Sequence, residues 1–562
     1  MSELLTGAQI LRRTLADAGV EVMFGYPGGA IMPFYDALHG QDAVRHILVR
    51  HEQAAAHAAD GYARAGNRVG VCVATSGPGA TNLVTGLAAA HMDGSPVLAI
   101  TGQVARPMLG RDAFQETDVV GVTMPVTKHN VLVRDVADLA DDVREAMAIA
   151  MEGRPGPVLV DVPKDVQNQK AEYKVSGPGF QGLGKPRHLK PDTQDVENAI
   201  QQAAHLIAEA ERPLLMIGRG VIVSGAYAEV RRLAERTGMP VITTLLGISG
   251  FPQEHPLHLG MPGMHGEVHI NKAIQTADLI VGIGLRFDDR VTGNTATFAP
   301  RAKIVHIDIE AAAIGRTVGV AVGIVGDARS VVQRLLAAVE PRNCMAWRTE
   351  IGGLMRQREE SFAGGLSPDV ILTALADVTS GRCTIVSDVG QHQMWIAQRY
   401  PFQRPNTHIT SGGLGAMGFA VPAAMGVHLA RPDEPVWALS GDGGFQMNMA
   451  EIATMVQEGL EVKLAIFNNG YLGMVRQWQQ FFHGGRYSST PIWSPDYVKL
   501  AAAYGIPGWR VDHASQVEDA LRRANETPGP ALVELVIEQE ANVFPMIVPG
   551  GSLSEPLEAA PA

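Results

Sequence analysis

The densest chemistry lies at Gly441-Asp442-Gly443-Gly444, which follows the apolar run at 436–439. A second apolar run, 462–467, ends in Asn468-Asn469. Read as strands of one parallel sheet, both runs deliver their polar residues to the carboxyl edge, where open α/β sheets bind ligands. Glycines let main-chain amides approach a phosphate, and the helix expected over 446–458 adds a favourable dipole. A carboxylate from Asp442, an amide oxygen from Asn469 and the main-chain carbonyl of Tyr471 offer a magnesium ion hard oxygens. Phosphate and water would complete its octahedron. Gly-Asp-Gly alone is a common turn; its pairing with Asn-Asn one strand–helix–strand later is the specific signal.

Other candidates are weaker alone. Glu52 opens an Ala-rich helix in RHEQAAAHAADGYARA and would ordinarily read as a cap or a surface charge. His51 and His57 flank it six positions apart, on different sides of a helix, so they make a poor shared zinc site. Gly218-Arg219-Gly220 after an apolar run is a weak dinucleotide hint. Arg286 close to Asp288 and Asp289 reads as a surface ion pair, although a guanidinium fork also suits a carboxylate.

Strand-like runs alternate with helical segments along most of the 562 residues, the rhythm of open parallel sheets. Hydrophobic residues are 46% and charged residues 19%, enough for several filled cores. Gly- and Pro-rich stretches at 172–192 and 338–366 read as linkers. They bound expected domains at 1–172, 193–337 and 366–545, followed by a flexible tail at 546–562. Segments 71–101 and 436–467 each read as strand, Ser-Gly-x-Gly turn, helix and strand, which fits either ordinary βαβ likeness or a duplicated domain. The opening residues read as an amphipathic helix with Leu4, Leu5, Ala8, Leu11 and Leu15 on its buried face. No targeting segment or membrane span is apparent, so a bacterial-type cytoplasmic protein is expected. The net charge of −12 disfavours nucleic acid and anionic membranes as partners. Cys72, Cys344 and Cys383 are scattered, without a zinc or disulfide pattern.

From about residue 4 to 556 the sequence resembles one family, the catalytic large subunit of acetohydroxyacid synthase (acetolactate synthase). The motifs that carry the resemblance include GYPGGAIMPFYD, SGPGATN, DAFQE, GLRFDDRVTG, VGQHQMW, SGGLGAMGFAVPAA and LGMVRQWQ, beside GDGG…FNN. The resemblance implies an α/β fold of three open parallel-sheet domains of the thiamine-diphosphate enzyme type: pyrimidine-binding, central flavin-binding and diphosphate-binding. The implied cofactors are thiamine diphosphate, Mg2+ and FAD. Glu52 then stands against the aminopyrimidine ring, where its carboxyl exchanges a proton with a ring nitrogen. Met417 would wedge between the cofactor rings, and His57 becomes a packed structural histidine. Gly29, Ala30, Gly390, Gln391, His392, Gly415 and Met474 match further cofactor contacts. Phe114, Gln115 and Lys164 match residues at the mouth of the active site.

For the flavin, the resemblance implies contacts from Gly218, Gly220, Thr243, His265, Arg286, Asp288, Arg290, Asp308 and Asp327. The flavin would be structural, because the implied reaction is not a net oxidation. Arg286 would also hold the second 2-oxo acid. Trp478 matches the residue that favours 2-oxobutanoate over pyruvate; telling one methylene apart is worth roughly 1–3 kcal/mol, about 10- to 200-fold. The implied reaction decarboxylates pyruvate and condenses the hydroxyethyl unit with pyruvate or 2-oxobutanoate, giving 2-acetolactate or 2-aceto-2-hydroxybutanoate for valine and isoleucine biosynthesis. The implied assembly is a homodimer or dimer of dimers, with a small regulatory subunit. The alternative is a flavin-dependent pyruvate oxidase on the same scaffold, against which RFDDRVTG and Trp478 match the synthase.

Overall fold

The computed structural model describes residues 3–173, 194–355 and 366–560. Three six-stranded sheets hold the chain together. All strand pairs within them are parallel, as in Val97–Gln103 with Val158–Pro163 and Val436–Gly441 with Val462–Asn468. Their central strands are mostly apolar and almost wholly buried, because helices cover both faces.

The first sheet uses, in chain order, Val22–Gly25, Arg45–Leu48, Gly70–Ala74, Val97–Gln103, His129–Leu132 and Val158–Pro163. Across the sheet these run second, first, third, fourth, sixth, fifth. The last sheet uses Thr384–Ser387, His408–Thr410, Val436–Gly441, Val462–Asn468, Gly508–Val511 and Ala531–Val536, in the same spatial order. A shared order over six strands goes beyond ordinary βαβ likeness and favours duplication. The central sheet differs. Its strands Pro213–Ile217, Val241–Thr243, His258–Gly260, Leu279–Ile283, Lys303–Asp308 and Val322–Val325 run third, second, first, fourth, fifth, sixth. That is the order of dinucleotide-binding sheets, with its ligand crevice between the first and fourth strands.

The duplicated units meet inside one chain. Helix Glu52–Gly66 crosses helix Ala420–Ala430 so closely that a Cβ on Gly61 would lie 2.1 Å from the Ala423 carbonyl oxygen. A Cβ on Gly426 would lie 1.9 Å from the Ala58 oxygen, so only glycine fits at either place. One apolar cluster, including Ala55, Ala59, Ala420 and Ala424, runs across the contact.

Several local expectations change. Leu4 and Leu5 lie in a strand, Glu3–Thr6, paired antiparallel with Lys170–Tyr173; the helix begins only at Gly7. Thr6 and Gln9 form a reciprocal capping box that fixes this start. The helix expected over 446–458 is broken into Asp442–Asn448, a 3-10 turn at Met449–Glu451, and Ile452–Glu458. Most of the expected linker at 172–192 lies outside the described residues, as does 356–365. Within 338–366, residues Met345–Leu354 form a helix that buries Trp347 and Ile351. The tail expected to be flexible is held against the protein as far as Leu557. Met546, Ile547 and Leu553 are buried, Met546–Ile547 pairs with Pro556–Leu557, and the Gly551 carbonyl accepts from the Asn294 amide at 2.9 Å. Its apolar side chains fill gaps beside the central domain, which outweighs its Pro- and Gly-rich composition. No helix among the described residues is long and apolar enough to cross a membrane.

Candidate active site

The turn after Val436–Gly441 places Asp442 at the start of a helix. Its Oδ1 accepts from the Gly443 amide at 3.0 Å, and its Oδ2 from the Gly470 amide at 2.9 Å and the Ser494 hydroxyl at 3.3 Å. Burial pushes its carboxyl up to about 6. Asn469 follows the adjacent strand, and its Oδ1 accepts from the Tyr471 amide at 3.1 Å. The Leu472 amide donates to Thr490 and the Ile492 amide to Gly470, both at 2.9 Å, which fixes the peptide carrying the Tyr471 carbonyl.

A cavity of about 60 Å³ joins these groups to Gly390, Gln391, His392, Met417, Gly441, Gly443, Gly444 and Met474. Burial pushes His392 down to about 3, so its ring is neutral, and its buried Nε2 has no partner. A Cβ on Gly390 or Gly441 would come within 3.2 Å of that ring. Among the described residues no three His, Cys, Asp or Glu side chains cluster as a metal site. The oxygens offered are one carboxylate, one amide and one carbonyl, a set that suits magnesium only when diphosphate oxygens complete the shell. The site therefore fits a diphosphate and its magnesium together, with the unmatched His392 nitrogen at hand.

Asp388 was not singled out from the sequence, yet it organises this cavity. It is fully buried, burial pushes it up to about 6, and it accepts from the amides of Val389, Gly418 and Ala420 at 2.7, 3.0 and 3.2 Å. It thereby holds the turn that presents Met417.

The second group of expected residues lies on the N-terminal domain. Glu52 begins its helix, and its Oε2 accepts from the Asn82 side chain at 2.9 Å. A Cβ on Gly79 would lie 3.1 Å from Glu52 Oε1 and 2.9 Å from Thr75 Cγ2. The Thr75 hydroxyl in turn accepts from the Ala30 amide at 3.2 Å. Gln115 has φ of 60° and packs on Gly77 of the same turn. Glu52, Ala30 and Gln115 thus border one glycine-rich turn, with exposed Gly29 beside Ala30 and Phe114 88% exposed next to Gln115. Lys164 is exposed at the start of Lys164–Asn168; Gln167 of that helix donates to the Ala30 carbonyl at 2.8 Å. His57 is buried edge-on to Phe419, a packed histidine that burial pushes down to about 4. Glu52 lines neither the diphosphate cavity nor the larger one beside it.

That larger cavity, about 670 Å³, opens at the crevice of the central sheet. Gly220, His265, Arg286, Asp288, Arg290, Asp308 and Asp327 all line it. Asp308 ends a strand and accepts from the Glu310 amide at 2.9 Å; burial pushes it up to about 6. Asp327 and Asp288 cap the helices that follow them. Arg286 reaches Asp288 at 3.4 Å, so the ion pair exists but faces the cavity. Gly218 and Thr243 are not in the wall. A Cβ on Gly218 would meet the Gly284 carbonyl oxygen at 2.4 Å, so this glycine serves close packing. Thr243 hydrogen-bonds His258 at 3.2 Å, and Thr244, the first residue after the strand, lines the cavity instead. Arg154 also belongs to the wall and was missed. It donates to the carbonyls of His91 and Met92 at 3.1 and 2.8 Å and pairs with Glu310 across the domain boundary. Volume, strand order and aspartates at strand ends fit a flavin dinucleotide.

The two cavities share Val389, Gly390, Met417, Met474 and Val475. Gly415, Arg286 and Trp478 line the larger one beyond this shared wall.

Comparison with known proteins agrees. Residues 5–122, 200–335 and 388–535 match the N-terminal TPP binding, central and C-terminal TPP binding domains of thiamine pyrophosphate enzymes. The acetolactate synthase large subunit of Corynebacterium glutamicum is 46% identical, covering 98% of this chain and 90% of its own. This chain belongs to the acetolactate synthase large-subunit family. A probable acetolactate synthase large subunit of Methanocaldococcus jannaschii is 45% identical over 99% of this chain and 96% of its own. The isozyme 3 large subunit of Escherichia coli is 41% identical over 98% of both. The fold is accordingly that of the three-domain thiamine pyrophosphate enzymes, and nothing in these comparisons supports the pyruvate oxidase alternative.

Proposed function

We propose that this chain removes carbon dioxide from pyruvate and joins the remaining two-carbon unit to a second 2-oxo acid. Pyruvate as acceptor gives 2-acetolactate, and 2-oxobutanoate gives 2-aceto-2-hydroxybutanoate, the entry to branched-chain amino-acid biosynthesis. One observation carries the reading: the diphosphate cavity meets the Arg286–Trp478 cavity at Met417 and Met474.

Bound thiamine diphosphate supplies the electron sink for the bond broken as carbon dioxide leaves. Asp442, Asn469 and the Tyr471 carbonyl hold its magnesium, and His392 Nε2 is placed for a phosphate oxygen. Glu52, tethered by Asn82, is the carboxyl that gives and takes a proton. Arg286 orients the carboxylate of the acceptor. Gln115 hydrogen-bonds reacting oxygens, and Lys164 reaches the mouth from its exposed helix start. FAD occupies the larger cavity in a structural role, contacted by Gly220, His265, Asp288, Arg290, Asp308 and Asp327.

Glu52 lies outside both cavities of its own chain, which supports a homodimer, or a dimer of dimers, in which one chain's Glu52 faces its partner's diphosphate. The relatives from Corynebacterium glutamicum and Escherichia coli are large subunits by name, which supports a small regulatory partner.

Product analysis tests the proposal. Purified protein with pyruvate, thiamine diphosphate, magnesium and FAD, with and without 2-oxobutanoate, is expected to give acetohydroxyacids without acetate or peroxide. Acetate formed with flavin reduction would overturn it in favour of an oxidase.

A further inference from the structure

A third cavity lies where all three domains meet, next to the flavin cavity, with which it shares Gly94, Pro155, Arg219 and Val223. It is about 320 Å³ in volume, and Arg64 of the first domain, Arg219 and Tyr227 of the second, and Asn406 and Arg431 of the third line it. Nothing in the proposed reaction uses it.

The guanidinia differ in how well they are matched. Arg64 is saturated: it pairs with Asp60 at 2.6 Å and Asp93 at 2.9 Å and donates to the Thr410 carbonyl at 2.8 Å. Arg431 donates to the carbonyls of Ala65 and Asn406, both at 2.9 Å, and lies 3.8 Å from Glu434. Arg219 has far less. It donates one hydrogen bond, to the Ser95 hydroxyl at 3.2 Å, and its buried Nε has no partner. It makes no ion pair among the described residues. Burial, with repulsion from Arg64, pushes it down to about 10 against the attraction of Asp93 and Asp60, so it remains charged at neutral pH. A part-buried charge with a single neutral partner is costly unless a counter-charge enters one of the two cavities that Arg219 lines. The rest of the wall is mainly apolar, with Ala63, Met151 and Ile222 beside the Tyr227 ring.

We propose that this junction cavity binds a small organic anion, an oxyanion head on a compact apolar body, with Arg219 as its ion-pairing residue. The head is a carboxylate or a phosphate, and the body lies against Tyr227 and Ile222. The site adjoins the reaction loop through Arg64 and Asp93. The Asp93 carboxylate accepts from the amides of Gly412 and Gly413 at 3.1 and 2.7 Å, on the segment leading to Met417.

The test is calorimetric titration of the flavin-, thiamine diphosphate- and magnesium-loaded protein with benzoate, phenyl phosphate and inorganic phosphate. Benzoate and phenyl phosphate share a body and differ in head, so the tighter of the two assigns the head. Inorganic phosphate, lacking the body, is expected to bind more weakly than phenyl phosphate. Arg219→Gln removes the charge, and Ile222→Trp fills the cavity from a residue that does not line the flavin cavity. Both variants are expected to weaken the tighter probe by about tenfold or more, and flavin absorbance in Ile222→Trp reports that it folds. The proposal is overturned if neither aromatic probe binds at millimolar concentration, if binding displaces flavin, or if a flavin-retaining Ile222→Trp binds as the unsubstituted protein does.

Discussion

Both carboxylate oxygens of Asp388 accept from the single backbone amide of Gly418, at 3.0 and 3.1 Å. The same carboxylate also takes the amides of Val389 and Ala420. A Cβ on Gly444 would lie 2.9 Å from it, so the glycine turn of the diphosphate site and the turn carrying Met417 are braced against one buried group.

Asp388→Asn keeps the size but offers one acceptor oxygen where Asp388 uses two. One of the amides of Val389 or Ala420 is then left unmatched, at a cost of about 1–3 kcal/mol. The expected outcome is a lower melting temperature and a roughly tenfold higher thiamine diphosphate concentration for half-maximal activity. Unchanged values for both would show that the brace does not position the site.

Glu52→Gln and Asp442→Asn, each made alone, are expected to lose at least about a hundredfold in turnover, since one removes the proton-carrying carboxyl and the other the anionic metal ligand. Mixing the two inactive proteins under conditions of subunit exchange distinguishes the arrangements. If each site combines one chain's Glu52 with its partner's Asp442, half the dimers become mixed and each regains one intact site. Activity then recovers to roughly a quarter of the unsubstituted level. No recovery, with exchange verified by mass, would mean that both groups act within one chain.

The carboxyl edge was legible because glycine, aspartate and asparagine sit in a strand–turn–helix frame that repeats at fixed spacing. Asp388 was not, since a lone aspartate after an apolar run reads as any turn residue until its amide partners, some 30 positions on, are known. Arg154 was hidden for a related reason: its carbonyl partners and Glu310 are remote in sequence. Thr6 with Gln9 carried a readable capping signal that placed the first helix after Leu4 and Leu5, and the helical spacing of the leucines masked it. The packed tail shows the limit of composition, because burial of Met546, Ile547 and Leu553 depends on a surface built elsewhere in the chain.

Asp161 gives a pH test away from the chemistry. It is buried between strands, accepts from Thr101 at 2.7 Å and Gln103 at 2.9 Å, and burial pushes it up to about 6 from 3.8. A carboxyl raised on folding contributes stability fully below its unfolded value, and that contribution is lost as pH rises through about 6. Asp161→Asn is expected to remove this dependence. The urea midpoint of the substituted protein should therefore gain on that of the unsubstituted protein as pH rises from 3.8 through about 6, the window set by the two values. Parallel midpoints across that range would exclude Asp161 as the titrating group.

Trp478 offers the sharpest test of the substrate reading. It lines the larger cavity with Arg286 and Met474 and stands edge-on to Phe482 at 5.5 Å, on helix Gly473–Phe482. Its backbone is well supported, because Arg476 and Gln477 of the same helix are buried and donate to the carbonyls of Ala541 and Val543 at 2.8 and 3.0 Å. Truncating the indole should therefore change the cavity more than the fold. A flat aromatic wall rewards the extra methylene of 2-oxobutanoate, and one methylene is worth about 1–3 kcal/mol. Trp478→Leu is expected to lower the preference for 2-oxobutanoate over pyruvate by about tenfold or more, with acetolactate formation from pyruvate alone largely kept. Competition between the two acceptors, read from the ratio of acetolactate to aceto-hydroxybutanoate, measures it. An unchanged ratio would move the determinant of acceptor choice to another residue of that wall, whereas loss of both products together would assign Trp478 to positioning Met474 rather than to selection.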